Sequence, residues 1–309
     1  MGAMRAIVFA YHDVGVRCLK TLLSAKIDVP LVVTVRDDPK ENRWFASVAE
    51  TAGEYGLPVV LPDDASGTEF ADRIAQLDPD FIFSFYYRSM LGGPILRCAR
   101  RGALNMHGSL LPKYRGRAPV NWAILNGEPQ TGATLHYMVE RADAGDIVDQ
   151  LAVPILEDDD AREVFGKVTA AAEIVLARSL PGLIAGNAPR RPQLIAAGQY
   201  FGRRRPEDGR IDWSHPAVRI HNLVRAVAPP FPGAFTEVDG RQWWIHRTRV
   251  ESRIITPSER ARLFGAQGAC YAACRDGGVL RILAAANDAG TVDLARLSRE
   301  LEARPAALG

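Results

Sequence analysis

The first half of the chain is built from short runs that are apolar almost throughout, separated by stretches of mixed character. Arg5 to Tyr11 (RAIVFAY), Pro30 to Val35 (PLVVTV), Leu57 to Leu61 and Asp80 to Phe85 (DFIFSF) are such runs. They are too short for core helices and lack polar alternation, so they read as strands buried on both faces. Between them the period changes. Val16, Leu19, Leu22 and Leu23 follow a helical spacing after Asp13, a candidate N-cap. Further helices are predicted over Arg43 to Tyr55, stopped by Gly56, over Glu69 to Gln76, and over Met90 to Cys98. Gly102 to His107 is a fifth strand candidate. Strand and helix alternate, which predicts an α/β fold: a Rossmann-like, mostly parallel sheet with helices on both faces. Ligands on such sheets collect at the carboxyl ends of the strands.

The pattern then changes. Asn121 to Leu125 opens a helix, and Thr131 to Met138 and Ile147 to Pro154 read as strands. Asp158, Asp159 and Asp160 precede a long helix to about Leu180. The triple Asp has its simplest account as the solvated start of that helix, where carboxylates favour the dipole, and no partner ligands for a metal are visible. Pro181 to Gly202 is rich in Gly and Pro and reads as a linker. After it come a helix, Pro216 to Val227, and short strands: Gly233 to Val238, Gln242 to Ile245, Gly268 to Ala272 and Val279 to Leu283. They predict a smaller C-terminal β-barrel, OB-like. The expected division is 1–203, with 181–203 as its linker, and 204–309.

Charge narrows the function classes. The formal net charge is +2. From Arg204 onward 16 Arg face 12 Asp or Glu, a surplus of four. That is mild, and a nucleic-acid partner is not favoured. The four cysteines, Cys18, Cys98, Cys270 and Cys274, lack a zinc-site pattern and read as free thiols in a reducing cytosol. No apolar run is expected to reach membrane-spanning length, and the N-terminus lacks a signal peptide's apolar core. The expected location is the cytoplasm. A second Met at position 4 suggests that the first three residues are an addition.

The candidate chemistry sits in Gly102 to Pro119, GALNMHGSLLPKYRGRAP. In an extended segment Asn105 and His107 share a face. They bring together an amide donor and a titratable imidazole, a minimal kit for acyl transfer. Asp143, within Arg141-Ala142-Asp143-Ala144-Gly145, is a third candidate. The small residues beside it let a loop pass close to a ligand, and a carboxylate near His107 would favour imidazolium. The first strand-to-helix loop, AYHDVGV, lacks the Gly-rich dinucleotide pattern, so His12 reads as a loop residue. Tyr87, Tyr114 and Trp122 are candidate aromatic surfaces, each at least as well explained by core packing.

Asn105-x-His107, Ser109-Leu110-Leu111-Pro112 and Asp143-x-Gly145 resemble the signature of the folate-dependent formyltransferases. Phe9 to Asp13, Ile82 to Arg88, His107 to Pro119, Arg141 to Gly145 and Val224 to Phe235 are similar to one subgroup, the formyltransferase domain of ArnA. That enzyme of polymyxin resistance acts on UDP-4-amino-4-deoxy-L-arabinose. The resemblance implies N10-formyltetrahydrofolate as co-substrate, a sugar-nucleotide acceptor, no metal, and Asn105, His107 and Asp143 as the catalytic trio. It also implies folate contacts from Ser89, Met90 and Leu91, from Val139, Glu140, Arg141, Ala142 and Asp143, and from Arg117. The subgroup enzyme carries a C-terminal dehydrogenase. A chain ending at Gly309 is therefore expected to stand alone or to be one domain of a larger enzyme, with a dehydrogenase partner domain or a homo-oligomer open. The main rival within the family is a methionyl-tRNA formyltransferase, for which a strongly basic second domain is expected.

Overall fold

The computed structural model describes residues 4–39, 41–65, 67–251 and 261–309. The reading of the first three residues as an addition falls outside them. The chain divides into two compact units. The first comprises 1–119, 130–154 and 165–202; the second comprises 120–129, 155–164 and 203–309.

The first unit starts with β1 (Arg5–Ala10), α1 (His12–Ser24), β2 (Asp28–Val33), α2 (Val48–Glu54), β3 (Val59–Val60), α3 (Thr68–Gln76), β4 (Phe81–Phe85), α4 (Gly93–Leu96) and β5 (Gly102–His107). A short β6 (Arg115–Gly116), α5 (Pro119–Leu125), β7 (Gln130–Tyr137), β8 (Ile147–Pro154), α6 (Ala161–Ala185) and β9 (Tyr200–Phe201) follow along the chain, with α5 from Val120 on and α6 as far as Val164 belonging to the second unit. Seven strands form one sheet in the order β3-β2-β1-β4-β5-β7-β8. The first five run parallel; β7 and β8 are antiparallel. The chain steps out from β1 to β3, then returns to the other side of β1 with β4. That reversal is the switch point at which ligands bind such sheets.

Three of the apolar strands are buried as expected; in the remaining run, Leu57 to Leu61, only Val59–Val60 is strand, half-buried at the edge of the sheet. Every residue from Ala6 to Ala10 is at 0% exposure, as are Ile82, Phe83 and Phe85. Each large side chain so buried contributes roughly 1.5–3 kcal/mol relative to an exposed one.

Helix edges differ from expectation where side chains took other partners. Asp13 is not the cap of α1. Tyr11 stands at that position, and the Asp13 carboxylate accepts from the Ala46 N–H at 2.9 Å. The helix predicted from Arg43 begins at Val48, because the Ser47 hydroxyl caps it by accepting from the Glu50 N–H at 3.2 Å. The helix predicted over Met90 to Cys98 shrinks to four residues. Asp160 and Glu163 form a reciprocal capping box, each carboxylate accepting from the other's backbone N–H at 2.9 Å. The triple Asp is thus a helix start.

Two expectations need correction. The 25 residues of α6 are long and apolar enough to cross a membrane by length and composition. The helix nevertheless buries a stripe at helical spacing, Val164, Val168, Ala171, Val175 and Leu176 among it, as a core helix does. Nor is 181–203 a passive linker. α6 continues through Pro181 to Ala185, and Arg101 donates to its terminal carbonyls, Leu183 O and Ile184 O. Beyond it, Arg190 lies over the Tyr137 ring at 3.7 Å, Arg191 bridges Ile147, and β9 pairs with β6.

The second unit contains α7 (Ala217–Ala226), β10 (Ala234–Val238), β11 (Arg241–Glu251), β12 (Arg262–Ala266), β13 (Ala269–Ala273), β14 (Val279–Asn287), β15 (Gly290–Thr291), α8 (Leu294–Ala303) and β16 (Ala306–Ala307). Its antiparallel sheet runs β10-β11-β14-β13-β12-β16. A bridge between Val238 and Leu308 brings the chain end back to β10, giving a barrel-like sheet. Two hairpins turn on residue pairs with positive φ, Asp239-Gly240 and Gln267-Gly268, the backbone of a tight two-residue loop. Segments 120–129 and 155–164 belong here because their polar groups end here. Asn121 donates to Ala226 O at 2.8 Å, and His221 Nε2 donates to Glu157 O at 3.0 Å.

His12, read as a loop residue, is instead the first residue of α1, at φ +67°, and it is not inert. Its ring packs 3.9 Å from Phe45, 4.4 Å from Phe165 and 4.6 Å from Trp44. Burial first, then the charge of Arg88, lower its pKa to about 3. The unfolded chain takes up this proton near pH 6.5, while the folded protein resists it. Stability from this group is therefore complete above about pH 6.5 and falls as pH drops from there towards the folded value. By pH 5 the loss from His12 is about 1–2 kcal/mol. His221, also lowered mainly by burial, acts in the same direction. Denaturant unfolding at pH 7 and pH 5 is expected to show this loss. His12→Asn, which tolerates the positive φ, should start less stable but lose less on acidification.

Candidate active site

β5 ends at the carboxyl edge of the sheet. Its alternation aims Asn105 and His107 to the same side. Antiparallel pairing with β7 sets His136 opposite Asn105 and Thr134 opposite His107. Four polar side chains from two strands therefore share one patch.

Asp143 completes it from the loop after β7. Its Oδ1 lies 3.5 Å from His107 Nδ1, 3.6 Å from His136 Nε2 and 3.4 Å from Asn105 Nδ2. Its Oδ2 accepts from the Gly116 N–H at 2.8 Å. The trio read from the sequence is thus brought together, and His136 joins it. Sequence reading missed His136, although the alternation of Thr131 to Met138 contained the signal.

The backbone fixes the tautomers. A carbonyl only accepts, so His107 Nε2, 2.8 Å from Tyr114 O, carries a hydrogen. His107 Nδ1 then faces the carboxylate, where a second proton would find an acceptor. In the same way His136 Nδ1 donates to Tyr137 O at 2.8 Å. Its Nε2 lies 3.2 Å from Asn105 Nδ2 and, when protonated, faces the Asp143 carboxylate.

The supporting loops are held just as closely. The Thr134 hydroxyl donates to Ser109 O at 2.6 Å and accepts from the Leu111 N–H at 3.2 Å. Gln150 donates to Leu111 O and to the Thr134 hydroxyl, both at 2.9 Å. Gln193, from the stretch read as a linker, donates to Asp143 O at 3.1 Å and Gly145 O at 2.6 Å. Two glycines are required sterically. A Cβ at Gly145 would stand 1.9 Å from Tyr137 O, and one at Gly116 (φ +99°) 2.2 Å from Phe201 O. Asp143 itself sits at φ +51°, a conformation that Asp tolerates.

Charge follows from this enclosure. The side chains of His107, His136 and Asp143 are only 7%, 2% and 13% exposed. Burial by itself would raise the Asp143 pKa. The charge available on His107, the His136 imidazole and the Gly116 N–H together outweigh burial and hold the carboxyl well below its usual range. Asp143 is therefore an anion throughout the physiological range. The arrangement offers amide and imidazole donors for a developing oxyanion, and an imidazole backed by a fixed negative charge for proton transfer.

The other expected site residues lie on the loops after β4, β6 and β7. Ser89 and Met90 line a cleft of about 390 Å³ with Val35, Arg36, Asp64 and Tyr87. Met90 and Val139 are exposed, at 60% and 47%, as are Glu140 and Arg141, whereas Leu91 is buried and Ala142 half-buried. Glu140 and Arg97 both crowd the position a Cβ would take on Gly93, so the loops after β4 and β7 meet there. Arg117 is exposed, its backbone N–H donating to Phe201 O at 2.9 Å. Of the candidate aromatic surfaces, Tyr114 is buried and stacked on Phe201, Tyr87 is edge-on to Phe9, and the half-buried Trp122 lies under Arg204.

Known proteins share this architecture. An N-formyltransferase from Helicobacter canadensis, crystallised with folinic acid and dTDP-3-aminofucose, superposes with a TM-score of 0.74 at 19% identity, covering 94% of this chain and all of that one. HypX from Aquifex aeolicus, in complex with tetrahydrofolic acid, gives a TM-score of 0.63 at 19% identity over 93% of this chain and 45% of that one. A 4-N formyltransferase from Francisella tularensis gives 0.62 at 20% identity over 75% and 91%. At these identities the likeness is one of fold. The sequence goes further: the formyl transferase family model matches residues 4–180, and that of the formyl transferase C-terminal domain matches 204–291. The chain belongs to the formyl transferase family and carries both of its domains.

Proposed function

We propose that the protein transfers a formyl group from N10-formyltetrahydrofolate to the amine of an amino-sugar nucleotide, with UDP-4-amino-4-deoxy-L-arabinose as the first acceptor to test. The observation that carries this reading is the convergence of Asn105, His107 and Asp143 within 3.5 Å at the carboxyl edge of a parallel sheet. The folate part is supported by the relatives crystallised with folinic or tetrahydrofolic acid. The exposed Met90 and Val139 offer apolar cover to a flat pterin, and Ser89, Leu91, Glu140, Arg141 and Ala142 supply the loops around it. Arg117 is assigned to the folate or to holding the loop beside it.

The neutral amine attacks the formyl carbon. As the tetrahedral oxyanion forms, the Asn105 amide and protonated His107 donate to it. The bond to N10 then breaks. Protonated His107 gives its Nδ1 proton to N10, and the neutral imidazole then takes the proton lost by the amine, so its own proton count is restored and the products are the formamide and tetrahydrofolate. Asp143, already an anion, is too weak a base to take that proton itself. Its part is to hold charge against His107 and to orient the amine. His136 keeps the Asn105 amide in place.

A second reading keeps the chemistry and changes the acceptor to a dTDP-linked amino sugar, as the name of the Helicobacter complex suggests. The deciding assay offers N10-formyltetrahydrofolate with UDP-4-amino-4-deoxy-L-arabinose, dTDP-amino sugars and charged initiator tRNA in separate reactions. Formylation of a sugar nucleotide is expected; formylation of the tRNA alone would overturn the proposal. Asn105→Ala and His107→Ala are each expected to lower kcat/KM at least about a hundredfold, the scale for one oxyanion donor or one positioned base. Asp143→Ala is expected to change the pH–rate profile as well as the rate. A slower enzyme with an unchanged profile would contradict the electrostatic role of the carboxylate.

A further inference from the structure

The second unit has a feature that the trio does not use. Arg203, Arg204 and Arg205 are consecutive and, with Pro206, line a cleft of about 370 Å³. Among the described residues, none of the three guanidinium groups makes an ion pair with a carboxylate. The Asp208 carboxylate accepts from the Arg205 backbone N–H at 2.7 Å.

Arg204 is fixed in place. Its guanidinium lies over the Trp122 ring at 4.9 Å and donates to Asp208 O at 3.0 Å. Its Nε is buried with no hydrogen-bond acceptor. Its charge is partly desolvated, and burial lowers its pKa despite Asp208. Holding a cation half out of water beside two more cations, with one donor unmet, costs free energy in the free protein. An anion that accepts from several guanidinium groups would recover it.

We infer that Arg203, Arg204 and Arg205 form a binding site for the diphosphate of a nucleoside diphosphate. This deepens the sugar-nucleotide reading and rests on it for the identity of the ligand. A diphosphate supplies two linked anionic centres and several acceptor oxygens, matching neighbouring forks in one cleft. The size of the cleft suits a small molecule. A polynucleotide backbone would call for a longer basic track, and the unit's surplus of four positive charges is small for that purpose. Trp122 serves as the platform that orients Arg204.

Calorimetric titration of the full chain with UDP, dTDP and inorganic pyrophosphate tests this directly. Binding of all three is expected, and Arg204→Gln should weaken it at least tenfold, with Arg203→Gln and Arg205→Gln adding to the loss. Folinic acid affinity and the thermal midpoint check that the variants fold. Loss of UDP and pyrophosphate binding in the variants would support the site even if no amino-sugar nucleotide were formylated, in which case only the acceptor reading falls. Unchanged UDP affinity in folded variants would overturn the inference. So would variants that lose salt-dependent tRNA binding from a protein that does not bind UDP.

Discussion

One buried anion organises the catalytic unit. The Asp143 carboxylate reaches β5 through Asn105 and His107, β7 through His136, and β6 through the Gly116 N–H. These are separate pieces of chain, and none is adjacent in sequence to Asp143. Burying a carboxylate without compensation costs several kcal/mol. The folded state is acceptable only if all of its partners are present together. The group needed for chemistry is therefore also the group that makes the loops after β5 and β7 depend on one another.

The compensation continues outward. Tyr114 sits at positive φ, and its carbonyl takes the outer nitrogen of His107, so the ring is held at both ends. Thr134 and Gln150 fix the Ser109 to Leu111 turn, and Gln193 fixes the loop carrying Asp143. Removing any one of these leaves a buried donor or acceptor unmet, which costs more than the bond itself contributes. Preorganisation of this kind is what an oxyanion site needs, since dipoles that must reorient during reaction stabilise the transition state less.

Much of this was legible in the sequence, for reasons that can be located. The parallel sheet followed from strands apolar almost throughout, because only burial on both faces demands that pattern. Asn105 and His107 followed from the two-residue period of β5. Asp143 rested on small neighbours and a resemblance, since no local rule ties a loop carboxylate to a histidine 36 residues earlier in the chain. His136 was hidden because its partnership is a cross-strand one, set by the β5–β7 register rather than by either strand alone. The stretch 181–203 was misjudged because Pro and Gly mark breaks in local structure, and its order comes instead from long-range contacts such as β9 on β6 and Gln193 on the Asp143 loop. In the second unit, the two-residue β16 pairs non-locally with β12, whereas the local β12–β13 hairpin and α8, with Leu294, Leu297 and Leu301 at helical spacing behind the Asp293 cap, carried sequence signals that were not read.

Net charge bears on the class of partner a protein can hold and says little about where a small anion would bind. A sum near zero argues against a polyanion because a long backbone must be met along its length. It is silent on a diphosphate, which needs only a few donors held at one place. Arg203, Arg204 and Arg205 line one cleft, and Trp122 and Asp208 O hold the middle one against the fold. The relevant quantity is the local excess of unmatched donors in the free state. A distribution that adds up to almost nothing over the whole chain can still concentrate that excess in three adjacent residues.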